Sequence, residues 1–138
     1  MPVDLRFLKY TEVTDSCWLW TAAIHPMGYG VMSKGGGKTG FVFAHRFAYE
    51  STKGAIPNTL QIDHLCRVRN CVNPDHLEAV TQKVNVLRGN GLSALNARKT
   101  VCKFGHPFDE ANTYIRARGE RNCRRCAMEK ARTKRKKL

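Results

Sequence analysis

The alternation of hydrophobic and polar positions predicts a β-hairpin followed by a helix in the first half of the chain. Residues 28–43 alternate on either side of a glycine-rich turn between Lys34 and Lys38, as the two arms of a hairpin do. Residues 44–53 carry apolar side chains at helical spacing, and Gly54 follows them. Because glycine commonly ends a helix, we expect this helix to end there.

A second pattern predicts two strands and a helix. Short apolar runs at residues 60–64 and 77–80 indicate strands, and the loop between them is polar. Thr81 is a good N-cap residue, and the apolar positions after it have helical spacing. The order is therefore strand, loop, strand and helix.

A change in composition marks the boundary of a second module. Glycines at positions 89 and 91 end the preceding helix, and the polar, basic residues up to Thr100 indicate a linker. We therefore predict an α+β protein with one domain at residues 1–95 and another at residues 96–138.

The composition indicates that an apolar core alone would stabilise the fold only marginally. Apolar residues are 42% of 138, but 11 glycines and a basic C-terminal run dilute them, so we expect a disulfide or a metal to stabilise the fold. No apolar stretch is long enough to span a membrane, and the N-terminus lacks the layout of a secretion signal, so we expect an intracellular protein. In a reducing cytosol, six cysteines are expected to be metal ligands rather than disulfides.

The charge is concentrated in the C-terminal third. From Asn96 onward there are 14 basic and 4 acidic residues, which accounts for +10 of the formal charge of +13. This density favours nucleic acid over an anionic membrane because no amphipathic apolar face accompanies it; a solvated tail is the plain alternative. The side chains expected to contact DNA are Lys34, Lys38, Arg116, Arg118, Arg121, Arg124 and Arg125.

The C-terminal cysteines have zinc-site spacing. Cys102-x3-His106 and Cys123-x2-Cys126 form two chelating pairs, and the 16 residues between them are enough for a hairpin. The spacing predicts a treble-clef or zinc-ribbon-like module that ends in a basic helix. The alternative is a set of unpaired cysteines beside a core histidine.

The remaining cysteines suggest a second site. Cys66-x4-Cys71-x4-His76 supplies three ligands at regular spacing, and Cys17 would complete the set by folding back onto that loop. All six cysteines and two histidines would then hold two structural zinc ions. A reduced core Cys17 or a Cys66–Cys71 disulfide remains an alternative.

The segment IDHLCRVRNCVNPDHLEAVTQKVN contains His64, His76 and Asn85 at offsets of 12 and 9. It resembles the HNH endonucleases of phage and intron origin, which belong to the His-Me finger, or ββα-metal, nucleases. With the earlier Cys17-Trp18 pair, its zinc pattern is also similar to that of the His-Cys box homing endonucleases. The resemblance covers about residues 15 to 90 and implies a ββα-metal domain preceded by a β-hairpin.

The resemblance implies a role for each matching residue. His64 would be the general base and Asn85 a ligand of the catalytic metal, Mg2+ or another divalent ion. Asp63 would be a second ligand, although the two families differ at this position, and His64 points away from Asp63 unless the strand end twists. Arg46 would bind the scissile phosphate; a surface ion pair is its alternative role.

These observations together predict a metal-dependent endonuclease acting on double-stranded DNA in the cytoplasm of a bacterial or phage-infected cell. Since one ββα unit cuts one strand, a monomer would nick DNA and a homodimer could cut both strands. Two alternatives remain: a zinc-finger nucleic-acid-binding protein without catalysis, and a zinc-stabilised protein-interaction module. Only the nuclease explains the spacing of Asp63, His64 and Asn85.

Overall fold

In the computed structural model, which describes residues 5–34 and 40–136, every described strand pairs with one neighbour in a two-stranded antiparallel sheet. The contacts divide the chain into two units, and the division falls after Arg88. This is seven residues before the boundary predicted at residue 95. Helices and strands occur in both units, which confirms the mixed α and β class.

Unit 1 begins with elements that the sequence patterns did not predict. Helix α1 (Leu5–Lys9) is followed by a hairpin of β1 (Thr11–Val13) and β2 (Trp18–Trp20). Trp20 is buried against Gly30, where an added Cβ would lie 2.5 Å from the indole ring. Only glycine allows this close approach.

The second hairpin and its helix follow the sequence prediction. Strands β3 (Val31–Ser33) and β4 (Phe41–Phe43) pair antiparallel, with Val31 opposite Phe43. The tip of the turn, which includes Lys38, lies outside the described residues. Helix α2 (Ala44–Lys53) has the predicted bounds and ends at Gly54, which adopts a φ of 93°.

A strand–loop–strand–helix arrangement completes unit 1, as predicted. Strand β5 (Leu60–His64) pairs with β6 (Leu77–Thr81), and a 3-10 turn at Pro74–His76 precedes β6. Helix α3 (Gln82–Arg88) packs against both strands. The backbone N–H of Val84 donates to the Thr81 hydroxyl, so Thr81 caps this helix.

The apolar core holds these elements together. Side chains from helices α1 and α2, strands β2, β3, β5 and β6, and the loops around them form one buried cluster. Its members are Phe7, Trp20, Met32, Ala44, Ala48, Ile56, Ile62, Val72 and Leu77. All nine belong to unit 1.

Unit 2 contains a helix where the sequence indicated a linker. Helix α4 (Leu92–Arg98) buries Ala94 completely. The Arg121 guanidinium donates hydrogen bonds of 2.7 Å to the carbonyls of Asn96 and Lys99 at its C-terminal end. These bonds satisfy carbonyl groups that a short polar helix would otherwise leave exposed, which is why the linker interpretation was wrong.

The rest of unit 2 has the predicted order. Strands β7 (Thr113–Ile115) and β8 (Arg121–Cys123) form a hairpin, and helix α5 (Arg124–Arg135) follows directly. Of the described residues in this unit, only Ala94, Asn112 and Cys123 are buried. So small a core leaves most of the stabilisation to other interactions.

No helix in the described part of the chain combines the length and apolar composition needed to cross a membrane.

Candidate functional site

The structure brings the six cysteines and two of the histidines together in the two groups that the sequence suggested. In each group, all four ligand atoms lie within 4.8 Å of one another. Cluster 1 consists of Cys17, Cys66, Cys71 and His76. Cluster 2 consists of Cys102, His106, Cys123 and Cys126.

The geometry of cluster 1 fits a tetrahedral metal ion. The sulfur atoms of Cys17 and Cys71 lie 3.7 and 3.6 Å from Nδ1 of His76. Zinc with sulfur at about 2.3 Å and nitrogen at about 2.0 Å would separate these donors by about 3.5 Å. All six cysteines are free thiols, so the Cys66–Cys71 disulfide is excluded.

Backbone pairing explains how Cys17 reaches a loop fifty residues later. Strand β2 follows Cys17 directly, and it runs beside the segment before the 3-10 turn. The Trp20 N–H donates to the Asn70 carbonyl at 2.9 Å, and the Val72 N–H donates to the Trp18 carbonyl at 2.7 Å. Burial raises the pKa of the Cys71 thiol to about 12, so a bound cation is needed to favour its thiolate.

Cluster 2 has similar distances and a tight turn at its first ligand pair. The Cys126 sulfur lies 3.6 Å from the Cys102 sulfur and 3.3 Å from Nδ1 of His106. The Cys102 N–H donates to the His106 carbonyl at 2.8 Å, which closes the turn. Asn112 supports the cluster from outside, since its Nδ2 lies 3.3 Å from the Cys123 sulfur.

His64 ends β5 and is buried, with 7% of its surface exposed. Its Nε2 lies 3.1 Å from the carbonyl oxygen of Cys71. Because a carbonyl only accepts hydrogen bonds, Nε2 carries the proton, and Nδ1 of the neutral ring keeps its lone pair. Burial lowers the pKa of His64, although the Cys71 carbonyl opposes this, so the neutral base is favoured at neutral pH.

Two aromatic rings contact His64. The Tyr29 ring centroid lies 5.8 Å from that of His64, and the His45 ring lies edge-on at 4.8 Å. His45 is also 7% exposed, and its buried Nδ1 has no hydrogen-bond partner among the described residues. Burial, and then the neighbouring His64 and Arg46, lower the pKa of His45 to about 3. No sequence pattern predicted that His45 would lie beside His64.

The side chains of Asp63 and Asn85 lie between β5 and α3. Gln61 and Asp63 share a face of the strand, and Asn85 and Arg88 share a face of the helix. Nδ2 of Asn85 donates to Oε1 of Gln61 at 3.3 Å, and Arg88 lies 3.4 Å from Oδ2 of Asp63. The Asp63 carboxylate is 3% exposed and also accepts a 2.7 Å bond from Arg67. Its two oxygens therefore face two guanidinium groups.

The contacts of Asp63 and His64 are separate, as strand alternation requires. Asp63 contacts Arg67 and, on α3, Arg88, whereas His64 contacts Cys71, Tyr29 and His45. The two residues are nevertheless adjacent at the end of β5.

Arg46 makes contacts away from His64. Its guanidinium lies 4.0 Å from the Glu50 carboxylate on the same helix, and 41% of its side chain is exposed. Arg46 also lines an open groove with Lys34 and Phe41. This arrangement matches the surface ion pair that was the alternative to phosphate binding.

The arginines of unit 2 differ in their contacts. Arg121 is engaged with carbonyls near the end of α4 and stacks over the Phe108 ring at 4.2 Å. Arg116 lies 3.9 Å from Glu120, and Arg124 lies 5.7 Å from the Tyr114 ring. Arg118 and Arg125 are exposed. Arg121 therefore has a structural role, and the exposed arginines are better placed to contact phosphate.

Comparison with known families assigns the central segment. Residues 42–87 match the sequence profile of a family that is described as HNH endonuclease. This range extends from β4 to α3 and contains Asp63, His64 and Asn85. This segment of the chain is therefore similar to the HNH endonucleases.

Two curated relatives are phage proteins. The chain is 38% identical over 58 residues to the "Uncharacterized gene 5.3 protein" of Enterobacteria phage T3, covering 42% of this chain and 56% of the relative. It is 34% identical over 71 residues to "Protein 7.7" of Escherichia phage T7, covering 51% of this chain and 52% of the relative. The chain thus spans about half the length of these relatives. No solved structure matches it significantly.

Proposed function

We propose that this protein is a metal-dependent DNA endonuclease in which His64 is the general base. The observation that carries the proposal is the hydrogen bond from Nε2 of His64 to the Cys71 carbonyl, within the segment that matches the HNH endonucleases. This bond holds the ring in one orientation and keeps Nδ1 available to accept a proton.

Phosphodiester hydrolysis follows from such a base. Nδ1 of His64 takes a proton from a water molecule while the water oxygen forms a bond to phosphorus. The bond from phosphorus to the 3′ oxygen breaks, and that oxygen takes a proton from solvent. The imidazolium then returns its proton to water, so the enzyme is unchanged after each turnover.

Asp63 and Asn85 are the residues proposed to hold the catalytic Mg2+ or another divalent ion. A buried carboxylate and a carboxamide oxygen are hard ligands of the kind that Mg2+ prefers, and both side chains lie between β5 and α3. The ion would neutralise charge on the phosphate and the departing oxygen as a Lewis acid. To bind the ion, Asp63 has to exchange a guanidinium contact for it.

The two clusters are proposed to hold structural zinc. Three thiolates and one imidazole at tetrahedral distances are typical of such sites. Unit 2, as a treble-clef-like module, would then present its exposed basic side chains to the phosphates of double-stranded DNA. The phage relatives agree with a role in the cytoplasm of an infected cell.

The test compares wild type with His64→Ala on supercoiled plasmid. Zinc-loaded, desalted protein is assayed with and without added Mg2+, because a strong chelator would also strip the clusters. We expect cleavage to fall by about 10²- to 10⁴-fold in His64→Ala, the usual contribution of a general base, with DNA binding retained in a gel shift. Open-circular product would indicate nicking by a monomer, and direct linear product would indicate paired cutting.

The matched control is His25→Ala, which removes another unit 1 histidine. Its ring contacts Phe41 and Phe43 rather than His64, so cleavage should persist. If wild type binds DNA but none of several divalent metals supports cleavage, the protein is a non-catalytic nucleic-acid-binding protein and the nuclease proposal fails.

A further inference from the structure

A guanidinium group contacts the same aromatic ring as the proposed base. Cζ of Arg69 lies 5.7 Å from the centroid of the Tyr29 ring, and that ring lies 5.8 Å from the His64 ring. Tyr29 also contacts the buried His45 at 5.3 Å. One tyrosine ring therefore connects a cation with both imidazoles.

The side chain of Arg69 is held in place from two directions. Its Nη1 donates a 2.8 Å hydrogen bond to the Met27 carbonyl. Its aliphatic stem passes over Gly28, where an added Cβ would lie 3.3 Å from Cδ of Arg69. Gly28 also has a φ of +88°, which a residue with a side chain rarely adopts. Glycine at this position leaves room for the arginine.

The loop that carries Arg69 is fixed as well. Cys66 and Cys71, two members of cluster 1, flank it. Asn70 donates through Nδ2 to the Trp20 carbonyl at 3.3 Å and accepts from the Trp20 N–H at 2.9 Å. The guanidinium is therefore presented from a well-supported segment.

Arg69 differs from the neighbouring arginines in its contacts with carboxylates. Arg67 and Arg88 face the Asp63 carboxylate, and Arg46 faces Glu50. Within the described residues, Arg69 forms no ion pair with a carboxylate, and its side chain is exposed. A guanidinium has five N–H donors, so the bond to Met27 leaves donors that can bind an anion.

We propose that Arg69 is the residue that binds the scissile phosphate, in place of the Arg46 predicted from the sequence. This inference rests on the proposed endonuclease function. A guanidinium can donate two parallel hydrogen bonds to the non-bridging oxygens of a phosphodiester. Arg69 would thereby hold the phosphate on the His64 side of the strand end, where Nδ1 can deprotonate the attacking water.

The experiment compares Arg69→Ala with the matched control Arg46→Ala. Each variant removes one exposed guanidinium from unit 1. We expect Arg69→Ala to lower the single-turnover rate at saturating DNA at least about tenfold, because a misplaced phosphate reacts slowly. Arg46→Ala should cut near the wild-type rate. Arg69→Lys should recover part of the rate, since it restores the charge without the paired donors.

A binding measurement without Mg2+ tests the contact directly. The cleaved position is first mapped with wild type, and a duplex is then made with one neutral methylphosphonate there. The substitution should weaken binding by wild type and by Arg46→Ala, but it should not weaken binding by Arg69→Ala further. Because Arg69→Ala loses one phosphate contact, its plot of log affinity against log salt concentration should be less steep than that of wild type by about 0.9.

The outcomes separate this inference from the proposed function. If wild type cuts DNA and Arg69→Ala cuts as fast, or responds to the methylphosphonate as wild type does, Arg69 does not bind the scissile phosphate while the nuclease proposal stands. If wild type cuts no DNA, both proposals fail. Full zinc content and unchanged tryptophan fluorescence of Arg69→Ala confirm that unit 1 is folded, since Trp18 and Trp20 both belong to it.

Discussion

The backbone carbonyl of Cys71 accepts a 3.1 Å hydrogen bond from His64, while the sulfur of the same residue lies 3.6 Å from Nδ1 of His76 in cluster 1. A single residue thus connects the candidate metal site with the proposed catalytic base. If cluster 1 holds a metal ion as proposed, loss of that ion would remove the anchor of the loop that orients the imidazole.

This connection predicts that the two clusters affect activity differently. Cys66→Ala, which removes a cluster 1 ligand, should lower the cleavage rate at saturating DNA by about 10- to 100-fold, the usual effect of disturbing the support of a site. Cys102→Ala, in cluster 2, should mainly weaken DNA binding. Single-turnover rates and gel shifts measure the two effects.

Tryptophan fluorescence is the folding control for this comparison, because both tryptophans are in unit 1. Cys66→Ala should be assayed below its unfolding temperature. Equal losses of rate in both variants, with unit 1 folded, would show that the orientation of His64 does not depend on cluster 1.

Metal content provides a second prediction. We expect two zinc ions per chain by elemental analysis, because each cluster offers four donors at tetrahedral distances. Cys66→Ala and Cys102→Ala should each retain one ion, and Co2+ substitution should give tetrahedral thiolate spectra in both variants. A wild-type content of one ion would remove a cluster from the proposal, and the variant that still binds metal would identify the remaining one.

His45 gives a prediction for the pH dependence of stability. Its pKa falls to about 3 on folding from a normal value of 6.5, so between these values the unfolded chain binds more protons than the folded chain. Acid therefore destabilises the fold through His45, beginning as the pH falls below 6.5 and reaching a limit near pH 3. At pH 5.5 the contribution should be about 1 kcal/mol, since one pKa unit corresponds to about 1.4 kcal/mol.

The comparison is with His45→Phe, which keeps a ring but does not titrate. At pH 7.5 this variant should be at least as stable as wild type, because the unpaired Nδ1 is removed. At pH 5.5 its advantage should grow by about 1 kcal/mol in urea unfolding followed by tryptophan fluorescence with zinc in excess. Parallel stability curves for the two proteins would show that His45 does not stay neutral in the folded chain.

The arginine contacts of Asp63 predict competition with the catalytic ion. Arg88→Gln removes one of the guanidinium groups that face this carboxylate. The Mg2+ concentration needed for half-maximal cleavage should fall several-fold, while Lys83→Gln on the same helix should leave it unchanged. An unchanged or higher Mg2+ requirement in Arg88→Gln would show that Arg88 does not compete for Asp63.

Local patterns were sufficient to predict much of unit 1. Helix α2 has the predicted bounds because both of its signals, apolar spacing and Gly54, act within a few residues. The grouping of Cys102 with His106 is equally local, because one tight turn brings the pair together. Helix α4 was missed because its stability comes from Ala94 burial and from Arg121, a residue more than twenty positions away.

The surroundings of the candidate base could not be predicted in the same way. His45 and Tyr29 reach His64 only after α2 and the preceding hairpin pack against β5, and no spacing rule describes that packing. The family resemblance implied a phosphate-binding role for Arg46, which follows His45 on α2, yet consecutive residues on a helix point in different directions. Arg69 shows no motif and becomes noticeable only through its contact with Tyr29.

The atom that orients His64 is a main-chain oxygen, which all twenty amino acids possess. No substitution can delete it, and natural variation can abolish the interaction only by shifting the path of the loop. The side chains that shape residues 66–71 therefore determine the orientation of the His64 ring. A descendant that lost cluster 1 would have to evolve other contacts that stabilise this loop.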